Sequence, residues 1–364
     1  MLCGYCGLVI FLILCQKKKA APSVSCAQTL PAISIVIPFH NEEQRLPACI
    51  ASLQNLEYPG AIEIVFVNDR STDASCSHIE AVAPTATIAI LLISSPYEQN
   101  RALTPKQQAL DAGVDSARND WIAFTDADMT FSRNWLTTLA YSIHVPAQTP
   151  ADMVFGHTII DKSSRGFLKP FQSFQLELLF AVTYAFVKSG LGGSCMGNNL
   201  LISKNAYTAI GGQKGIGYSI TEDLALCNAL RKKNFRIAPA HPFAPEAITF
   251  PTPTFGAFYA QTLRWIKGGL SSGRSLLPGI VLFDAHIVCI ALTVFGVLPL
   301  WLMALTGVSV GCTTVFLKTT FSKTKSPESL WFLPVFYILC MCEAVILGFG
   351  LIFSRRITWK DARV

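Results

Sequence analysis

Apolar positions follow two different rhythms along this chain. Between residue 33 and about residue 274, short β-branched runs alternate with stretches of helical spacing, whereas outside that span the apolar residues form long, nearly unbroken runs. The runs at 34–37, 62–67, 87–93, 121–125 and 153–158 have the length and composition of strands. The intervening segments 42–53, 74–82, 104–116 and 132–142 read as helices. Strand alternating with helix predicts an α/β domain built on a mostly parallel sheet, and such sheets take their ligands at the carboxyl ends of the strands.

The outer runs change the picture. Residues 1–15 are apolar, but a helix of that length reaches only about 22 Å against about 30 Å of hydrocarbon. The positive charge follows this run (Lys17, Lys18, Lys19) instead of preceding it, which favours an anchor with its lysine end in the cytoplasm over a cleaved signal peptide. After residue 274, the stretch 280–317 has room for one tilted spanning helix or for a tight pair broken near Pro299, and 330–353 for one more. The expected layout is a membrane anchor at 1–16, an α/β domain at 31–275, spanning helices at 280–317 (one or two) and 330–353, and a cytoplasmic tail at 354–364. That is a multi-pass protein of the cell membrane with its domain facing the cytoplasm. With two C-terminal spans, Arg355, Arg356, Lys360 and Arg363 lie inside, while the lysines between 318 and 325 fall outside, against the positive-inside trend.

Composition agrees with lipid contact. The 364 residues are 51% hydrophobic and 14% charged, where soluble chains carry about 25% charged residues. A chain this apolar and aromatic is neither disordered nor an ordinary cytosolic enzyme. The net charge of +6 flanks the apolar runs, so it argues for membrane orientation and against a nucleic-acid partner. Twelve cysteines are scattered, and Cys3 to Cys6 is a C-x-x-C with no second half; zinc needs four ligands at such spacings, so buried reduced thiols are expected.

Candidate chemistry sits where the strands end. Asp126 and Asp128 follow the run 121–125, and two carboxylates so spaced can share a hard cation such as Mg²⁺ or Mn²⁺ that also holds phosphates. Read alone, the pair fits a solvated turn capping the next helix better; its position at a strand end and its partners shift that balance. The first run leads into Pro38, His40 and Glu42, the second into Asp69, which places both turns at one sheet edge, where a carboxylate can accept from a base or a ribose; helix capping fits these turns too. Lys106 offers a cation for a diphosphate, or is a solvent-facing helix residue. Thr221 can cap a helix whose first turn holds Glu222 and Asp223, acids that the helix dipole favours and that also suit a general base. The small, polar approach 192–199 lets backbone pass close to a sugar. Gln261, Arg264 and Trp265 fall at i, i+3 and i+4 on one helix face, apt for a diphosphate and a sugar ring, or for a membrane interface.

Taken in order, IVIPFHNEE, VFVNDRSTD, FTDADMT, TED and QTLRW resemble the family 2 glycosyltransferases over residues 33–270. The resemblance implies a GT-A fold (Rossmann-like), a nucleotide-sugar donor, a divalent cation (Mg²⁺ or Mn²⁺) and inversion at the anomeric carbon. It assigns Pro38, His40, Glu42, Asp69, Lys106 and Asp126 to the nucleotide-sugar, Asp126 and Asp128 to the metal, Asp223 to proton removal, and Glu222, Gln261, Arg264 and Trp265 to the acceptor and diphosphate. The segment TPKQQALDAG matches the family's Lys-x-x-Ala-Leu-Asn pattern only loosely. In that family the QxxRW motif is shared by processive polysaccharide synthases and by enzymes that glycosylate membrane lipids, and this chain has few helices for a polymer channel. The expectation is transfer of a hexose, glucose from UDP-glucose, to a hydroxyl of a carotenoid, diacylglycerol or sphingolipid. The alternatives are a small polysaccharide synthase and an inactive membrane-bound assembly subunit.

Overall fold

The computed structural model describes residues 1–17, 30–96, 102–144, 149–190, 194–240, 245–272, 277–324, 330–353, 358–359 and 362–363. Lys18, Lys19, Gly192, Gly193, Lys325, Arg355, Arg356 and Lys360 lie outside them. In chain order the elements are α1 (Leu2–Lys17), β1 (Ile33–Phe39), α2 (Leu46–Gln54), β2 (Ile62–Asn68), α3 (Ser75–Val82), β3 (Ala89–Ser94), α4 (Pro105–Ser116), β4 (Trp121–Phe124), β5 (Met129–Phe131), α5 (Trp135–Ser142), β6 (Met153–Phe155), β7 (His157–Ile160), α6 (Lys169–Ser189), β8 (Leu200–Ser203), α7 (Lys204–Ala209), α8 (Gly212–Ile216), α9 (Glu222–Lys232), β9 (Ile237–Pro239), β10 (Pro245–Thr249), α10 (Phe255–Ser272), α11 (Leu277–Val294), α12 (Leu300–Thr324) and α13 (Leu333–Phe353).

The main sheet has the order β3-β2-β1-β4-β8-β6-β9. β3, β2, β1 and β4 run parallel, β8 lies antiparallel between β4 and β6, and β6 pairs parallel with β9. Every residue of β1 is buried, the signature of a central strand covered on both faces. One face packs its Ile35, Ile37 and Phe66 against α2 and α5 residues such as Leu46 and Trp135. The other packs Val36, Val65 and Phe124 under Leu110, Tyr207 and Leu230 of α4, α7 and α9.

The run 153–158, read from the sequence as one strand, is two. β6 belongs to the main sheet and β7 to a second sheet of order β5-β10-β7. The bend falls at Gly156, whose N–H donates to the carbonyl of Asn199 (2.8 Å). The Asn199 side chain is itself buried and accepts from the Trp135 indole (2.8 Å).

The terminal helices gather together. Tyr5, Val9 and Leu12 of α1 share a core with Phe171 and Phe174 of α6, Ile287 of α11, Phe316 and Phe321 of α12 and Phe336 of α13. α1 is therefore part of a bundle with the C-terminal helices and not a separate tether. α6 joins this bundle to the α/β domain through β7 and β9. The stretch 280–317 is broken after α11 by Gly296, at φ +67°, and by Pro299. Among the described residues one helical segment, Leu300–Ser322, is long and apolar enough to cross a membrane; Leu2–Cys15, Val281–Val294 and Leu333–Glu343 are shorter apolar runs. Every cysteine among the described residues is a free thiol.

Candidate active site

β1 and β2 run in register and end together, Phe39 opposite Asn68. The chain turns sharply after each, with Asn41 at φ +53° and Arg70 at φ +59°, left-handed conformations in which Asn is among the better tolerated residues. The two turns brace one another. Asn41 N–H donates to Ser71 Oγ (3.1 Å) and Thr72 N–H to Asn41 Oδ1 (2.8 Å), while Glu42 N–H donates to Ser75 Oγ (2.9 Å) and Glu43 N–H to Asp73 Oδ2 (3.0 Å). His40 Nδ1 reaches the Asp69 carbonyl at 2.5 Å; a carbonyl only accepts, so Nδ1 carries the hydrogen. The buried Asp69 carboxylate takes the Arg70 Nε–H at 2.9 Å. Pro38 sits opposite Val67, beyond the last β1–β4 pair at Val36–Phe124, where its missing N–H interrupts no β4 ladder.

At the end of β4, Asp126 and Asp128 flank the buried Ala127. Lys106, one residue into α4, places its Nζ 2.8 Å from Asp126 Oδ1 and 2.8 Å from Glu222 Oε1. It thus bridges two carboxylates from a half-buried position. Burial alone would lower its pKa, but Asp126 and Glu222 outweigh that and hold it above the ordinary lysine value. Glu42 belongs to the same neighbourhood. Burial pushes the Cys49 thiol up, and Asp128, Glu42 and Asp126 all add to the shift.

Glu222 and Asp223 occupy the first turn of α9. Thr221 stands at the cap position but makes no capping hydrogen bond with its side chain, which corrects the expectation from the sequence. Instead Thr221 packs on Gly268 of α10, where an added Cβ would lie 2.2 Å from Thr221 Cγ2. The absence of a side chain there lets α10 come close enough for Arg264 Nη1 to donate to the Ile220 carbonyl (3.4 Å). Asp223 accepts from Gly197 N–H (3.2 Å) and Leu224 N–H (2.8 Å). Its pKa is pushed up to about 6, first by burial and then by the Glu222 charge, against the pull of Leu224 N–H, Lys106 and Arg264. Lys106, Asp126, Gly197, Glu222 and Asp223 line one cleft of about 300 Å³. Of the QTLRW residues, Arg264 touches this neighbourhood, while Trp265 is 38% exposed and no described contact joins it or Gln261 to the acidic pair.

One residue that the sequence did not single out holds this arrangement in place. Gln107, fully buried beside Lys106, accepts Thr104 N–H (3.0 Å) and Ser219 N–H (3.1 Å), and donates to Gln213 Oε1 (3.1 Å) and the Gly217 carbonyl (2.8 Å). It pins the segment 213–219 that leads into Glu222 and Asp223. A glutamine three residues after Thr104 was visible as a capping box; partners more than 100 residues away were not.

Two carboxylates spaced by one buried residue offer the oxygen ligands that Mg²⁺ or Mn²⁺ takes. Among the described residues no third His, Cys, Asp or Glu joins them, so the pair fits a cation that completes its shell with phosphate oxygens and water.

With this geometry in view, comparison with known proteins gives a consistent answer. The family model "Glycosyl transferase family 2" matches residues 34–211. These residues form a glycosyl transferase family 2 domain. Similar proteins include "Probable glycosyltransferase YdaM" of Bacillus subtilis (strain 168), 24% identical over 66% of this chain and 55% of its own length. The bactoprenol glucosyl transferase of Shigella phage SfV is 32% identical over 38% of this chain and 42% of its own. The 4,4'-diaponeurosporenoate glycosyltransferase of Staphylococcus aureus (strain USA300) is 25% identical over 64% and 59%. The chain spans about half the length of these curated relatives. In overall shape it is similar to a mannosyltransferase from Pyrobaculum calidifontis solved with GDP-Man and Mn²⁺, with a TM-score of 0.59, 13% identity and coverage of 97% of this chain and 96% of the other. That likeness is one of fold, and the fold is GT-A.

Proposed function

We propose that this family 2 glycosyltransferase moves a hexose, glucose from UDP-glucose, onto a hydroxyl of a membrane lipid with inversion at the anomeric carbon. The observation that carries the reading is Asp223: a carboxylate in the first turn of α9, oriented by two backbone N–H groups and raised to about 6, in the same cleft as Asp126 and Lys106. A base with that pKa is ionised at neutral pH yet basic enough to take a proton from an attacking hydroxyl.

The reaction is a single displacement. The acceptor O–H gives its proton to Asp223, the oxygen forms the new bond to the anomeric carbon, and the bond to the diphosphate breaks, releasing the nucleoside diphosphate. No protein nucleophile takes part. Asp69, with the His40 turn braced against it, holds the nucleotide, and Asp126 the ribose and diphosphate. Asp126 and Asp128 would hold Mg²⁺ or Mn²⁺, which supplies charge for the departing diphosphate. Lys106 and Arg264 add fixed positive charge on the same side. The apolar helices α1, α11, α12 and α13 favour an acceptor that resides in a membrane, with the domain on the cytoplasmic side, and the names of the bactoprenol and diaponeurosporenoate relatives agree with a lipid acceptor.

The test is to incubate membranes holding this protein, beside an Asp128→Ala control, with radiolabelled nucleotide-sugars and Mn²⁺ or Mg²⁺, then to separate organic-extractable from water-soluble label. A discrete lipid band that is lost in the control supports the reading and names the donor. Label in insoluble high-mass material would replace it with polymer synthesis, and no label with any donor would replace it with a non-catalytic role.

A further inference from the structure

Lys106 joins the two acidic halves of the cleft. Its Nζ lies 2.8 Å from Asp126 Oδ1, just past the end of β4, and 2.8 Å from Glu222 Oε1, in the first turn of α9. The backbone that carries it has little freedom. Pro105 opens α4, and Thr104 closes a capping box with Gln107, whose N–H donates to Thr104 Oγ1 (3.2 Å) while Thr104 N–H donates to Gln107 Oε1 (3.0 Å). Gln107 is in turn buried and bonded to Gln213, Gly217 and Ser219. The lysine side chain is different. It is 36% exposed where Glu222 is 12% exposed, and its ammonium rides on a flexible four-carbon stem, so it can swing while the first turn of α4 stays in place.

Asp126 therefore has two uses for one carboxylate. The reading above gives it to a divalent cation and the diphosphate, and the structure gives it to the Lys106 ammonium. A divalent cation that took the same carboxylate would face that ammonium across it, like charge against like charge in a partly buried cleft. A nucleoside diphosphate changes the balance, because its oxygens can take the ammonium in a charge-assisted hydrogen bond and leave Asp126 to the cation.

We propose that Lys106 is a latch that makes cation and diphosphate binding depend on one another. It holds Asp126 until a nucleoside diphosphate draws the ammonium away, so the cation is taken up together with the donor and not ahead of it. This rests on the reading of the cleft as a metal and diphosphate site, and it adds the order in which that site fills. The coupling is reciprocal, so the cation strengthens diphosphate binding by the same factor.

The test measures Mn²⁺ affinity of the full-length protein in detergent from the electron paramagnetic resonance signal of free Mn²⁺, with and without saturating UDP. In the wild type UDP should tighten Mn²⁺ binding by about tenfold or more, within the span of about 5- to 150-fold usual for coupled sites. Lys106→Met removes the competing ammonium, so Mn²⁺ alone should bind more tightly than to wild type, UDP alone more weakly, and the enhancement by UDP should shrink to about fivefold or less. Lys106→Arg keeps the charge and should keep most of the enhancement. A lysine that stayed on Asp126 throughout would shift Mn²⁺ affinity by the same factor with and without UDP. An enhancement unchanged in Lys106→Met would therefore overturn the latch and leave the metal and diphosphate site standing. Were Lys106→Met to unfold, the wild type still decides, since Mn²⁺ affinity that UDP leaves unmoved overturns the latch. Asp128→Ala should lose Mn²⁺ in both conditions; Mn²⁺ uptake that neither UDP nor Asp128→Ala alters would overturn the site itself, and the latch with it.

Discussion

Replacing Asp223 with Asn should abolish turnover and at the same time stabilise the protein at neutral pH. The folded structure holds this carboxyl at about 6 against an ordinary value of 3.8, a difference of about two pH units, or about 3 kcal/mol of penalty for keeping it ionised in the fold. The sign follows from proton counting. Between about pH 4 and pH 6 the unfolded chain has released the proton and the folded one has not, so stability falls as pH rises through that window and stays low above it. Asparagine carries no charge and still accepts Leu224 N–H through Oδ1, but it turns an amide N–H toward Gly197 N–H, a loss of about 1 kcal/mol. The net expectation is a gain of about 2 kcal/mol above pH 6 and a deficit of about 1 kcal/mol below pH 4. Thermal unfolding of the detergent-purified wild type and Asp223→Asn at pH 7.5 and pH 4 reads this as a crossing of the two midpoints. A difference of the same sign and size at both pH values would refute the claim that Asp223 is a strained, raised carboxylate.

Further outcomes follow from the same geometry. The kcat/KM profile of the wild type should have an acid limb near pH 6, moved lower in Glu222→Gln and higher in Lys106→Met; three superimposed limbs would take the base away from Asp223. Gln107→Leu strands the buried Ser219 N–H, at about 1–3 kcal/mol, and takes a donor from the part-buried Gly217 carbonyl, so it should lower the unfolding midpoint and reduce kcat more than UDP affinity. Gly268→Val should lose activity by pushing α10 off Thr221, and Thr221→Ala, which removes the two side-chain atoms that would lie within 2.6 Å of the new valine Cβ, should restore part of it.

Most of the strand-and-helix framework was legible because short β-branched runs and apolar residues at helical spacing are local signals, although of the helices α2 to α5 only α4 carries a side-chain cap. β1 to β4 and the helices between them lie within a few residues of where periodicity puts them, and TED, DAD and the HNEE turn fall at element ends as α/β geometry requires. What escaped was non-local. β8 is a four-residue strand whose place between β4 and β6 depends on partners far away in sequence, and the split at Gly156 depends on Asn199. Lys106 looked solvated on its own helix, since neither Asp126 nor Glu222 is near it in sequence. Likewise α1, an anchor by composition, is buried against α12 because Tyr5 meets Thr313 (2.8 Å) more than 300 residues later.

The central claim is that Asp223 removes the acceptor proton and does not hold the donor. Measuring UDP binding and sugar transfer side by side on purified wild type and Asp223→Asn tests it most directly. The expected result is UDP affinity within about twofold of wild type, with transfer reduced by roughly 10²–10⁴-fold, the range for loss of a general base. Transfer retained at near wild-type rate, or UDP binding lost together with transfer, would contradict it.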